Sequence, residues 1–356
     1  MKNLKRFVCM LLCACTCLLL GGCNSCAKEG DSADFYYFNT QITVQVYKGS
    51  LSETTKGQID ECLRKLDNTY RITDQNSVTY KFNNLPVGES FTLPQGAKEI
   101  FEDCLNYYSL TQGSFNPAVY PLVELWQFSP NYPIQNFTLP NQNEITQIVD
   151  SGILDYQSCF TIKDNVITKL IDAKIDFGGI IKGYAVDHVA NILKNNGFSD
   201  GYVNAGGSSL RLLDVDSLGI VHPRKNSQLL TVSSSLANVS VSTSGDYQKY
   251  YELEGKRYSH IIDSVSGKPC NTGVQSATII CPSGSYADVM STALCLCEYS
   301  DSNSELIKLC RNILQTYPSA MIFVAVQKGE QKMLITNKTE NTDFTLLDQT
   351  YQIVKI

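Results

Sequence analysis

An α+β fold with mixed or antiparallel sheets and packed helices is predicted by three features of this 356-residue sequence. Apolar residues recur at helical spacing in several segments. Other segments alternate apolar and polar residues, as half-buried strands do. Helices and strands intermix without a regular βαβ rhythm, which disfavours a doubly wound parallel sheet.

The elements follow in order. Gln41–Tyr47 places Ile42, Val44 and Val46 between polar neighbours and predicts a strand. From Gly57 onward, Ile59, Cys62, Leu63, Leu66 and Tyr70 form the apolar stripe of a helix. A second helix follows Pro94, with Ile100, Cys104, Leu105 and Tyr108 on one face and Gly113 beyond its end. Residues 127–145 are rich in Pro, Asn and Gln and read as a surface excursion. Short strands are expected at Phe160–Ile162 and Val166–Thr168, then a helix over Gly183–Asn195 stopped by Gly197. Strands broken by Gly and Ser turns continue to about residue 282. Helices over Ala287–Cys297 and Ser304–Leu314 and a strand over Ala320–Val326 complete the pattern.

The N-terminus is read apart from the fold. Lys2, Lys5 and Arg6 precede an apolar run from Phe7 to Leu20, then Leu20-Gly21-Gly22-Cys23. That is the layout of a secretory signal, 1–22, and the small residues before Cys23 resemble a bacterial lipobox. Cys23 is the expected lipidation site. Acyl methylenes bury at roughly 0.8 kcal/mol each, so anchorage to a lipid membrane would last. Residues 23–36 read as a tether and 37–356 as one domain. The expected location is the cell envelope, outside the cytoplasm.

The formal charge is −6, and residues 1–22 hold basic residues but no acid, so the exported part is more acidic still. With no basic run, nucleic acid is a poor partner. Of 14 cysteines, nine lie beyond Cys23, an odd number, so no complete disulfide framework is possible. They read mostly as buried thiols.

There are three histidines, His188, His222 and His260, and no zinc spacing, P-loop or Rossmann glycine turn. Four polar segments remain. Ile175-Asp176-Phe177-Gly178-Gly179-Ile180-Ile181-Lys182-Gly183-Tyr184 precedes a helix. Its glycines, the N–H groups of a helix start and Lys182 suit a diphosphate. A tight turn with a solvated lysine is the plainer alternative. Val241-Ser242-Thr243-Ser244-Gly245-Asp246-Tyr247 offers hydroxyls and one glycine to a phosphate or flavin edge, or is simply a turn. His260, three residues before Asp263, suits a proton shuttle or a structural histidine. Asp288 and Thr292 are four apart on a predicted helix, so their oxygens share a face and suit Mg2+. Alternatively, Asp288 is a helix cap.

In this order the segments resemble the ApbE family, the FAD:protein FMN transferases. The likeness rests on Gly113-Ser114-Phe115-Asn116-Pro117 with Trp126, on Asp176–Tyr184 and on Asn204-Ala205-Gly206-Gly207. It continues through Thr243–Tyr247, His260–Gly267, and Asp288 with Thr292. It implies an ApbE-like fold with FAD in a cleft between lobes. It implies that Mg2+ is held by Asp288, Thr292 and the backbone oxygen of Gly179. Flavin and nucleotide contacts would fall on Phe38, Ser114, Phe115, Asn116, Asp176, Lys182 and Ile262. His260, Asp288 and Lys182 would be catalytic. The chain departs from the pattern at Phe38-Asn39-Thr40, where many members have Met-Gly-Thr, and at Asn116, where Asp is usual. Thr73 aligns with a ring-stacking tyrosine, and whether Tyr70 substitutes is open. The implied reaction moves FMN from FAD to a Thr or Ser hydroxyl of an exported flavoprotein domain, in a redox or ion-pumping complex, and releases AMP. A Mg2+-dependent FAD pyrophosphatase and a non-catalytic flavin-binding lipoprotein are the alternatives.

Overall fold

The computed structural model describes residues 30–130, 137–233 and 236–356; Cys23, the signal and the first half of the expected tether, 23–29, lie outside them. A hairpin of β1 (Asp31–Tyr37) and β2 (Thr40–Val46) leads into α1 (Glu53–Tyr70). Next come α2 (Val78–Asn84), β3 (Ser90–Thr92), α3 (Lys98–Leu110), α4 (Tyr120–Leu125) and α5 (Gln142–Asp150). β4 (Phe160–Lys163) and β5 (Val166–Lys169) precede α6 (Ile181–Asn195). Five strands follow: β6 (Gly201–Ala205), β7 (Ser209–Val215), β8 (Leu218–Val221), β9 (Gln228–Val232) and β10 (Leu236–Gly245). β11 (Tyr250–Leu253) and β12 (Lys256–Ser259) form one ribbon, β13 (Ile262–Asp263) and β14 (Lys268–Pro269) another. β15 (Val274–Cys281), α7 (Gly284–Leu296) and α8 (Glu305–Thr316) precede β16 (Met321–Lys328), β17 (Gln331–Thr336), β18 (Phe344–Leu346) and β19 (Gln352–Lys355).

These elements form two compact units, one comprising residues 82–176 and 246–271, the other 30–81, 177–245 and 272–356. The larger unit holds a nine-stranded sheet in the order β1-β2-β6-β7-β10-β15-β16-β17-β19. Its neighbours pair antiparallel, except β17 and β19, which run parallel. Alternation along β7 shows how the sheet is buried on both faces. Leu213 joins a cluster with α1 and α6, including Ile59, Leu63, Val186 and Val189. Leu212, its neighbour, faces a cluster with Leu230 and Leu346 from the small sheet β18-β9-β8. The expected α+β class therefore holds.

The smaller unit carries β3-β5-β4 and helices α3 to α5. One apolar cluster contains Leu122, Trp126, Phe128, Ile145 and Ile262. Trp126 donates its indole N–H to the Gly267 carbonyl at 2.8 Å.

Three expectations are corrected. Residues 31–36, assigned to the tether, form β1, paired with β2 along its full length. Helix α1 begins at Glu53, not Gly57, because the Ser52 hydroxyl caps the Thr55 N–H at 3.1 Å. The end of the supposed excursion is helical: Asn141 and Glu144 form a capping box that starts α5. No described helix is long and apolar enough to cross a membrane.

Candidate active site

The larger unit brings Asp288, Lys182, Gly178–Gly179 and Thr292 to the crossing of α6 and α7. Ser283 caps α7 by accepting the Tyr286 N–H, which places Asp288 on its second turn and rules it out as the cap of its own helix. Asp288 instead faces the start of α6. Its Oδ2 accepts the Gly183 N–H at 3.0 Å and its Oδ1 accepts the Ser209 hydroxyl at 3.1 Å. The Lys182 ammonium stands 3.8 Å away and also donates to the Gly178 carbonyl at 3.2 Å.

Asp288 is only 4% exposed. Burial raises its carboxyl above the ordinary value, opposed first by Lys182 and then by the Gly183 N–H and Ser209 hydroxyl. The site thus keeps an acid where its charge is costly, a common feature of functional carboxylates.

One helical turn on, the Thr292 hydroxyl donates to the Asp288 carbonyl at 3.1 Å and lies 3.0 Å from the Ser244 hydroxyl. Ser244 also meets Ser291 at 2.9 Å. The polar string ending in Tyr247 therefore spends Ser244 on bracing α7. Among the described residues no group of three His, Cys, Asp or Glu side chains could hold a metal. The donors available here are one carboxylate, a hydroxyl and backbone carbonyls.

At the hairpin tip of the same unit, Phe38 and Asn39 both have positive φ, 54° and 57°, which fits a two-residue turn matched to the strand twist. A bulky residue there is strained. Phe38 is held by its N–H to Asp67 Oδ1 at 3.3 Å and by packing against the α1–α6 cluster. Asp67 also pairs with Arg71. Thr73 is exposed.

In the smaller unit, Asn116 uses both ends of its amide on the protein. Its oxygen accepts the Ala118 N–H at 2.9 Å and its NH2 donates to the Leu154 carbonyl at 2.8 Å. Phe115 is buried and Ser114 half-buried beside it. The Asp176 N–H bonds the Pro117 carbonyl at 2.9 Å, so the segments that carry Asn116 and Asp176 adjoin. Ile262 points its side chain into the Trp126 cluster. His260 is half-buried, and its Nδ1 lies 3.0 Å from the Lys249 carbonyl. A carbonyl only accepts, so Nδ1 carries the proton and the basic lone pair is on Nε2.

The other histidines are structural. His222 is buried with Nε2 2.9 Å from Asp348. His188 packs on Tyr184, and burial lowers its pKa.

Residues 38–313 match the sequence profile of the ApbE family. The chain belongs to the ApbE family. An FAD:protein FMN transferase of Chlamydia pneumoniae is 30% identical over 312 residues, spanning 83% of this chain and 91% of its own length. That of Vibrio cholerae is 28% identical over 286 residues, covering 78% and 84%. The ApbE protein of Thermotoga maritima superposes with a TM-score of 0.73 at 26% identity, over 84% of this chain and 94% of that one. The flavinyl transferase ApbE of Pseudomonas stutzeri, in its apo form, gives 0.72 at 25%, over 86% and 94%.

At positions 116 and 39, where the resemblance leads to other residues, the side chains present suit their local surroundings. An Asp at 116 would lose the amide donor that the Leu154 carbonyl uses. Asn at 39 is among the residues that best tolerate positive φ. Tyr70 is 6% exposed and packs edge-on against Phe177, so it is a core residue here. Sequence reading missed Ser209, Asp187 and Arg211. Ser209 and Arg211 leave no local signal, and Asp187 only shares with Asp288 a position four residues after a glycine, a spacing without meaning until the helices cross.

Proposed function

We propose that this chain is a Mg2+-dependent FAD:protein FMN transferase acting outside the cytoplasm, anchored by a lipid on Cys23. Family membership and the names of its curated relatives support the transfer. The single observation that carries the metal part is the buried Asp288 carboxylate, with a lysine at 3.8 Å and a hydroxyl-bearing residue one turn on.

The residues fit a hard cation. Asp288, Thr292 and the Gly179 carbonyl are all oxygen donors of the kind Mg2+ prefers. A cation beside Asp288 would also offset the cost of burying its charge. When bound, Mg2+ supplies charge neutralisation to a diphosphate undergoing phosphoryl transfer. Lys182 and the N–H groups at the start of α6 would hold further phosphate charge.

The acceptor's Thr or Ser oxygen forms a bond to the FMN-side phosphorus of FAD. The bond from that phosphorus to the bridging oxygen breaks, and AMP leaves with the electron pair. The hydroxyl proton goes to His260 Nε2, the nitrogen left basic by the bond from Nδ1 to Lys249. Phe38, Thr73, Ser114, Phe115, Asn116, Asp176 and Ile262 are proposed to shape the flavin and nucleotide contacts, with Asn116 and Ile262 acting through the backbone they fix.

The test mixes the signal-less chain with FAD, Mg2+ and a threonine-bearing acceptor domain of an exported flavoprotein. Fluorescence that stays with the acceptor on a denaturing gel, with AMP released, is expected. EDTA should abolish both and added Mg2+ restore them. FMN and AMP without labelled protein would mean a pyrophosphatase; bound but uncut FAD, a carrier. For location, Cys23→Ser should move the expressed protein from the membrane to the soluble fraction.

A further inference from the structure

We infer that Asp187 is a positioning residue for the Asp288 carboxylate, the second half of a reciprocal cap in which α6 and α7 each bind the other's first turn. The inference rests on the metal-site reading above and goes one residue beyond it. Gly183 donates its N–H to Asp288 at 3.0 Å, and Gly284 donates its N–H to Asp187 at 2.6 Å. Each aspartate follows the glycine of its own helix by four residues. The glycines allow the approach: a Cβ on Gly183 would lie 2.1 Å from the Gly284 carbonyl oxygen, and one on Gly284 2.3 Å from that of Gly183.

The two carboxylates share this frame and differ in their cation. Asp187 Oδ1 accepts the Ser240 hydroxyl at 2.7 Å and pairs with Arg211 at 3.3 Å. Arg211 is itself fixed, donating to Ser240 at 3.1 Å and to the Pro282 carbonyl just before α7. Asp288 has only the longer contact to Lys182. Strand β7 serves both carboxylates from one face, because Ser209 and Arg211 are two residues apart. The charge of Asp187 is thus consumed in locking the start of α7, while that of Asp288 is left for a ligand. A second layer of this kind fixes the orientation of a metal-binding oxygen, and its loss commonly costs about 10–100-fold in metal affinity.

Calorimetric titration of the FAD-free, signal-less protein with Mg2+ tests this, run on wild type, Asp187→Asn and Arg211→Lys, with thermal midpoints recorded for each. Asp187→Asn should weaken Mg2+ binding by about 10-fold or more, and Arg211→Lys should shift it in the same direction by less. A role in folding alone would lower the midpoint and leave the Mg2+ affinity of the folded fraction at the wild-type value; that result overturns the inference and leaves the metal site standing. Should Asp187→Asn fail to fold, Arg211→Lys decides, and an unshifted affinity there overturns it equally. No Mg2+ uptake by the wild-type protein would overturn the metal reading and this inference with it.

Discussion

Burial makes a negative charge on Asp288 costly. Its folded pKa lies above the ordinary 3.8, chiefly through burial. A carboxyl raised in this way binds its proton more tightly folded than unfolded. Folding is then favoured at low pH, and stability is lost as pH rises from the unfolded value through the raised one. Asp288→Asn keeps an oxygen that accepts from Gly183 or Ser209 and removes the charge. In metal-free buffer its stability relative to wild type should therefore grow from pH 4 toward pH 7, measured by urea unfolding, while Mg2+-dependent transfer is lost. An advantage that shrinks with rising pH would contradict the assignment of a costly buried charge. His260 tests the other half of the chemistry. His260→Ala should lower turnover by roughly 10²–10⁴-fold, the usual worth of a general base, with a smaller change in FAD affinity. Unchanged turnover with poorer binding would make it a binding residue instead.

Among the elements, glycine has opposite meanings in two helices. Gly57 lies inside α1, and a Cβ there meets nothing within 4 Å. Gly57→Ala should stabilise the protein by about 0.5–1 kcal/mol, since only backbone entropy changes. Gly183 lies in the first turn of α6 against the backbone of Gly284. Gly183→Ala should cost about 1–3 kcal/mol or more, as overpacking does when the obstacle is main chain. Equilibrium urea curves separate the two, and equal effects would contradict the helix crossing. The same contrast explains the misplaced start of α1. A glycine at the edge of an apolar stripe resembles a boundary, but the hydroxyl of Ser52 fixes it.

At the scale of the whole molecule, none of the eight described cysteines forms a disulfide with another. Burial pushes Cys159, Cys281 and Cys310 up to about 12 and Cys270 up to about 11. Thiolate is the reactive form. In a variant lacking Cys23 and Cys26, a thiol reagent at neutral pH should label the folded chain far more slowly than the urea-unfolded one. The thermal midpoint should not respond to reductant. Fast native labelling, or a midpoint that falls with reductant, would mean that these thiols are accessible or bridged. The stability of the chain would then come from its sheet and helix layers, with no covalent staples among the described residues.

By itself the sequence determined the α+β class, most helices, the family motifs and the placement of Asp288 and Thr292 on one helix, because these depend on periodicity and short spacing. Tertiary structure decided what those side chains touch. Asn116 looked like a ligand contact, and its amide is spent on Leu154 and Ala118. Tyr70 was open as a stacking residue, and it packs on Phe177. Asp187, Arg211 and Ser209 carried no motif at all. Their roles arise from contacts between segments far apart in the chain, and local patterning holds no record of which distant N–H or carboxylate will meet a given side chain.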